Sequence, residues 1–311
     1  MELELPFAIV WSPAGPIVTM GRVPAEAIAA EPFWEHALAR GRATRLVPLD
    51  TCDANGDPSW LAGSIHHMTR CGSTLLLRQV GAIDRVACIV EPNIFAQLLD
   101  HPDDDPARVA HRIRALVGLF RQGLAPVADR AVIKWLTNLC RYATTLRAAL
   151  PDTPAIFMHR APVEVLASIE REPLGMVEVV TRRHLQGPGE PEPKALPGSE
   201  IAIFAEMLAA NCRWIARAPD VRRLDFALLP EATRACAVPY FGLTLTGEDE
   251  ARMAAVAQFD VKRGQRFTPD SAAKRAAASE EARALADHVI APALDDVIAR
   301  LAPLSPPQET R

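Results

Sequence analysis

Two short segments of the 311-residue chain carry residues whose types and spacing suit the binding of an anion. The first is Ile65-His-His-Met-Thr-Arg-Cys-Gly-Ser-Thr-Leu-Leu76, where an apolar run leads into Arg70-Cys71-Gly72-Ser73-Thr74 and then a helical pattern over Leu75–Val80. Backbone N–H groups at such a junction converge on one point, and the helix dipole favours negative charge there. Gly72 lets the backbone approach a phosphate, the Ser73 and Thr74 hydroxyls add donors, and Arg70 supplies charge. This is not a Walker A loop. Laying Gly72-Ser73-Thr74 on G-K-[ST] puts Ser73 where the lysine belongs and His67 where the first glycine belongs. Taken alone, the segment also reads as an ordinary strand–helix turn with an incidental arginine.

The second segment is Phe157-Met-His-Arg-Ala-Pro-Val-Glu-Val-Leu-Ala-Ser168. Here Arg160 ends an apolar run, Pro162 sits early in a helix where its missing N–H is harmless, and Ser168 follows on that helix. Arg160 and Ser168 can meet one ligand if the helix leans back over the strand's carboxyl end, where parallel α/β sheets hold their ligands. Arg160 alone suits equally a pairing with Glu164 or the capping of a neighbouring helix.

The elements that must position these residues follow one rhythm of short apolar run, loop and helical pattern. The runs are Gly63–His66, Val86–Val90, Ala131–Ile133, Ala155–Met158 and Val221–Phe226. Apolar runs separated by helices predict a parallel sheet with right-handed crossovers. The expected fold is a three-layer α/β/α architecture of P-loop type, with a central parallel sheet of about five strands and C-terminal helices. Ala-rich amphipathic patterns at 201–217 and 271–303 supply covering helices. Residues 61–311 form this domain, and 186–198, rich in Pro and Gly without periodicity, form a mobile loop within it. Residues 1–60 form an N-terminal appendage: a strand at Phe7–Trp11, a helix around Ala25–Ala39, and a turn-rich stretch.

Composition narrows the function. The chain is 49% hydrophobic and 23% charged, with net charge −4, so no overall basic field draws nucleic acid or an anionic membrane. An anionic ligand must therefore be met by a local cluster of cations. The six cysteines make no C-x-x-C pair and no zinc spacing, which leaves no metal site to expect. The acidic start lacks the pattern of a signal peptide, and no apolar stretch is long enough to span a membrane, so a reduced cytoplasm is the expected compartment.

Taken together, Arg70-Cys71-Gly72-Ser73-Thr74 and Arg160 through Ser168 resemble the sulfotransferase superfamily. In that family an [RK]-x-G-[ST]-T loop grips a 5′-phosphosulfate and an R-x7-S segment grips a 3′-phosphate. The resemblance is to bacterial sulfotransferase-like P-loop proteins and extends from about Ile65 to Lys274. It implies 3′-phosphoadenosine-5′-phosphosulfate as co-substrate and a small-molecule or peptide acceptor bearing a hydroxyl or amine, with a homodimer left open. It gives further positions a role. Glu91, closing Val90-Glu-Pro92, matches the base of tyrosylprotein-type members. Lys134 matches a strand-end lysine that neutralises the leaving phosphate, beside Arg70. Lys262, Arg263 and Gly264 resemble a late basic loop over the 3′-phosphate. Two positions depart from the aryl and steroid branch: Leu136 stands in place of its histidine and Leu75 in place of its tryptophan. The alternative is a P-loop nucleotide-binding protein without sulfotransfer, either a small-molecule kinase or a non-catalytic binder. His66 and His67 lie in the first run, one expected on each face of the sheet, and are read as structural.

Overall fold

The computed structural model describes residues 1–30, 34–54, 58–101, 105–173, 185, 198–260, 265–266 and 270–306. Strand β1 (Glu2–Ser12) alternates Leu3 and Leu5 inward, turns at Gly15, and pairs antiparallel with β2 (Gly15–Pro24). Two short helices, α1 (Ala25–Ala30) and α2 (Trp34–Leu38), precede β3 (Arg42–Pro48), which pairs antiparallel with β2. The expected short strand at Phe7–Trp11 is thus one part of a three-stranded meander, and the expected helix over Ala25–Ala39 is two.

The next five strands form one parallel sheet. In chain order they are β4 (Leu61–His67), helix α3 (Ser73–Gly81), β5 (Val86–Val90), α4 (Ile94–Leu99), α5 (Pro106–Leu124), β6 (Arg130–Lys134), α6 (Ala143–Ala149), β7 (Ala155–His159), α7 (Pro162–Arg171), α8 (Glu200–Ile215) and β8 (Val221–Asp225). The strand order is β5-β6-β4-β7-β8, and each neighbouring pair is parallel. The chain leaves β4 to one side and later crosses to the other, so the sheet has a switch point beside β4, where ligands bind in open α/β sheets. Helices α9 (Gly247–Ala257), α10 (Ser271–Ala277), α11 (Glu280–Leu285) and α12 (Ala291–Arg300) complete the chain. A two-residue pair, β9 (Phe259–Asp260) with β10 (Gln265–Arg266), follows α9.

Successive residues of a buried strand feed opposite layers. In β6, Val132 joins the cluster containing α3, α7, α8 and the C-terminal helices, while Ala131 and Ile133 join the one containing α4 and α5. That second cluster also holds Leu3, Leu5, Val18, Met20 and Val23 of the meander together with Phe95, Phe120 and Trp135. Packing is therefore continuous across residue 60: the meander closes one layer. Helix α5 approaches β1 closely, since a Cβ on Gly123 would collide with the carbonyl oxygen of Glu4. No helix among the described residues is long and apolar enough to cross a membrane.

A cationic cleft at the carboxyl edge of the sheet

Register brings the strand ends to one edge. Val90 lies opposite Lys134, Lys134 opposite Ile65, His67 opposite Met158, and His159 opposite Asp225. The residues just beyond them therefore emerge side by side. Arg70, Gly72, Ser73, Thr74, Glu91, Lys134, Arg160 and Ser168 all line one cleft. Cys71 is the exception within its loop: its side chain is buried in the core, so only its backbone borders the loop. Lys262, Arg263 and Gly264 lie outside the described residues, as do 186–197 of the expected mobile loop.

The loop before α3 holds two left-handed residues, Arg70 at φ 58° and Gly72 at φ 84°. A Cβ at Gly72 would collide with the Phe226 ring, so the turn favours glycine on two counts. The first amides of α3, which have no intrahelical partner, open onto the cleft. Glu91 is also left-handed, at φ 50°, and its N–H donates to the Lys134 carbonyl at 2.7 Å. Strained non-glycine backbone gathers where surrounding structure holds side chains in place. Arg70 turns sideways, donating to the Glu172 carboxylate at 2.8 Å and to the Glu172 carbonyl at 2.8 Å.

At the cleft floor Lys134 Nζ lies 2.7 Å from Glu91 Oε1 and 3.4 Å from the Thr74 hydroxyl. Lys134 is buried, with 1% of its side chain exposed, so the pair is shielded from water. Burial acts to raise the Glu91 carboxyl pKa, but Lys134 and His67 together outweigh it and hold the group well below the usual carboxylate range. Lys134 and His67 are thus the charged neighbours of Glu91, while Arg70 has Glu172 as its carboxylate partner.

His67, read from sequence as structural, also lines the cleft. Its two ring nitrogens each lie 3.0 Å from a carbonyl oxygen, of Met68 and of Trp135, and Nε2 is 3.5 Å from Glu91. Carbonyl oxygens only accept, so these contacts favour a proton on each nitrogen, with the Thr137 hydroxyl also 3.3 Å from Nδ1. Burial opposes the resulting charge, but Cys71 and Glu91 overcome it and push the pKa up to about 9. His66, on the other face, is buried and held neutral by desolvation. A folded-state pKa raised from 6.5 to about 9 stabilises fully below pH 6.5, and that contribution is lost as pH rises through 9. Urea unfolding should show the protein losing on the order of 3 kcal/mol between pH 6.5 and 9 relative to a His67→Gln variant. Parallel pH profiles for the two proteins would remove the imidazolium.

In the second segment Arg160 Nε donates to Glu164 at 2.6 Å, and Nη2 donates to Asp270 at 2.9 Å and Ser271 at 3.1 Å. Its Nη1 has no partner among the described residues. The guanidinium lies over the Phe226 ring, 3.9 Å from the centroid. Lys274 Nζ reaches Asp270 at 3.0 Å. The pairing with Glu164 read from sequence exists, and it leaves Arg160 in the cleft.

His67, Arg78, Arg171, Phe226 and Lys274 line the cleft without having been singled out as site residues. Arg78 lies one turn beyond Thr74, Arg171 one turn beyond Ser168, and Phe226 directly follows β8. Helical spacing and strand-end position are the signals that mark these three. Six Lys or Arg side chains and the His67 imidazolium face three carboxylates, so the cleft is positive in a chain of net charge −4. No group of three or more His, Cys, Asp or Glu side chains placed to hold a metal occurs among the described residues.

No family model matches the chain, and no curated protein matches it. Among solved structures it is similar to sulfotransferase STF9 from Mycobacterium avium, at 12% identity and TM-score 0.41 over 65% of this chain and 69% of that one. It is similar to a sulfotransferase from Alicyclobacillus acidocaldarius, at 19% identity and TM-score 0.37 over 66% and 99%. A third is the sulfotransferase domain from the curacin biosynthetic pathway, at 13% identity and TM-score 0.39 over 72% and 95%.

Proposed function

We propose that the chain is a sulfotransferase that moves a sulfuryl group from 3′-phosphoadenosine-5′-phosphosulfate to a hydroxyl or amine acceptor. The observation that carries this reading is the positive cleft in a negative chain, which suits a polyanionic ligand. Its cations come from two sets of elements, Lys134 and Arg70 with the α3 amides from the first, Arg160, Arg171 and Lys274 with Ser168 from the second, and two sets give room for two anionic groups. A phosphosulfate and a 3′-phosphate are two such groups. The six free cysteines suit a reducing compartment such as the cytoplasm.

The Lys134–Glu91 pair supplies a mechanism. An acceptor oxygen forms its bond to sulfur while the bond from sulfur to the bridging phosphate oxygen breaks, leaving adenosine 3′,5′-bisphosphate with the electron pair. Lys134, with Arg70 and the Gly72–Thr74 amides, neutralises the charge developing on that oxygen. As Lys134 is drawn toward the leaving oxygen, Glu91 loses its strongest neutraliser and its burial then raises its pKa. Glu91 becomes a better base as the acceptor proton must leave, and it takes that proton.

Thermal shift tests the reading first. Adenosine 3′,5′-bisphosphate at about 100 times Kd should stabilise the protein by roughly 2.7 kcal/mol, and AMP at the same concentration far less. Failure of the bisphosphate to stabilise beyond AMP would end the assignment of Arg160 and Ser168. The sharper test is Ser168→Ala, which leaves the buried Arg160–Glu164 pair intact. A lost hydrogen bond to a charged phosphate is worth about 1.5–3 kcal/mol, so bisphosphate affinity should fall tenfold or more in titration calorimetry, with AMP affinity unchanged. Equal loss for both ligands would make Ser168 structural.

A further inference from the structure

A second cavity opens beside the anion cleft and shares two of its residues, Thr74 and Arg78. It is a groove of about 470 Å³, within the size range of small-molecule sites. One face of α3 forms its floor: Thr74, Leu77, Arg78 and Gly81 follow at helical spacing, so the floor runs roughly 10 Å. Gly81 keeps it low, since a Cβ there would already lie 3.0 Å from the Cys88 sulfur. The walls are the outer edge of β5, α1 through Ala25 and Ile28, the turn after α5, and Val256 of α9.

Its chemistry is one-sided. Beyond Thr74 and Arg78 the described lining is aliphatic side chains, glycine and one cysteine, with no aromatic ring and no charge. Cys88 donates to the Leu77 carbonyl at 3.2 Å, and burial pushes its thiol pKa up to about 12, so it acts as neutral wall. A sugar entering here would leave its hydroxyls unpaired against hydrocarbon. The Arg78 guanidinium has no ion-pair or hydrogen-bond partner among the described residues and stands where the two cavities join. Thr74 at the same junction lies 3.4 Å from Lys134. An alcohol whose alkyl chain filled the groove would bring its hydroxyl to this junction, beside the Lys134–Glu91 pair.

We propose that this groove holds the acceptor, an alcohol on an extended aliphatic chain, with its hydroxyl at Thr74 and Arg78. The proposal rests on the sulfotransfer reading for the word acceptor, while the alkyl site itself is tested apart from it. The experiment uses the full chain with the phosphosulfate donor and the series n-butanol, n-hexanol, n-octanol and n-decanol. Each added methylene should lower KM, by about fourfold per group at full burial, until the groove is filled. Ile28→Trp, which fills the groove, and Val256→Asp, which puts a carboxylate in it, should each return the decanol KM to that of butanol. Thermal shift by adenosine 3′,5′-bisphosphate should be unchanged in both variants, which also reports that they fold. Calorimetric binding of decanol, measured without donor, should be lost in both. Decanol sulfated equally well by both variants, a KM independent of chain length, or a serine peptide sulfated in preference to every alcohol would overturn the groove and leave sulfotransfer standing. Decanol bound in the groove, released by both variants, yet never sulfated would keep the alkyl site and overturn its role as acceptor site.

Discussion

Glu91→Gln is expected to lower turnover by about 10²–10⁴ while tightening the binding of adenosine 3′,5′-bisphosphate. The first effect follows from position. Glu91 closes β5, its backbone is pinned to Lys134 at 2.7 Å, and its carboxylate sits on the lysine assigned to the leaving oxygen. Glutamine keeps the shape and removes the proton acceptor. The second effect follows from charge. Glu91 is one of three carboxylates facing the cleft cations, and removing it leaves Lys134 and His67 with no carboxylate between them to offset their charge. One unit charge at about 10 Å and an effective dielectric near 20 makes roughly a tenfold difference for an anionic ligand. Calorimetry and single-turnover sulfation read the two effects separately. Turnover within a few-fold of the parent places the base elsewhere, and weaker bisphosphate binding makes Glu91 an organiser of the cleft. A melting curve guards the comparison, since removing one partner of a shielded ion pair destabilises by about 3–5 kcal/mol when burial is complete, and Glu91 retains 20% of its side-chain exposure.

The sheet was legible because its central strands β4, β6 and β7 are buried on both faces and its edge strand β5 is still apolar in sequence. Val86–Val90 reads as continuous apolar sequence and forms a strand with those bounds, and each other run was found to within two residues at either end. Strand ends then carry Glu91, Lys134 and Arg160 to one edge by topology alone. The meander was not legible as such. Strand β3 is exposed over nearly its whole length, so no apolar alternation marks it, and β2 is held by burial against distant parts of the chain. That His67 lines the cleft was not legible for a related reason. Two adjacent histidines must face opposite sides of a strand, but which side meets the cleft depends on register with β6 and β7. Its charge depends on carbonyls brought in by the fold, that of Trp135 from 68 residues away. Lys274 enters through a helix more than a hundred residues beyond Arg160, and only their shared partner Asp270 reveals the link.

Lys134→Ala should move affinity in the opposite direction from Glu91→Gln. Turnover is expected to fall by about 10²–10³, the usual effect of deleting a group that stabilises charge on a reacting oxygen. Bisphosphate affinity should fall with it, since a shielded cation has left the cleft. The pH dependence gives the finer test. Burial raises the Glu91 pKa, and Lys134 is the foremost of the groups that pull it down, ahead of His67. Without the lysine, the folded-state carboxyl pKa must climb. A base works only when deprotonated, so the acid limb of the residual rate profile should shift to higher pH in Lys134→Ala. Lys134→Met separates packing from charge: it retains the apolar stem of a side chain only 1% exposed and should restore stability without restoring turnover or the limb. An acid limb fixed in place in both variants would mean that Lys134 does not control the ionisation of Glu91, and the coupling of leaving-group neutralisation to base strength would fall with it.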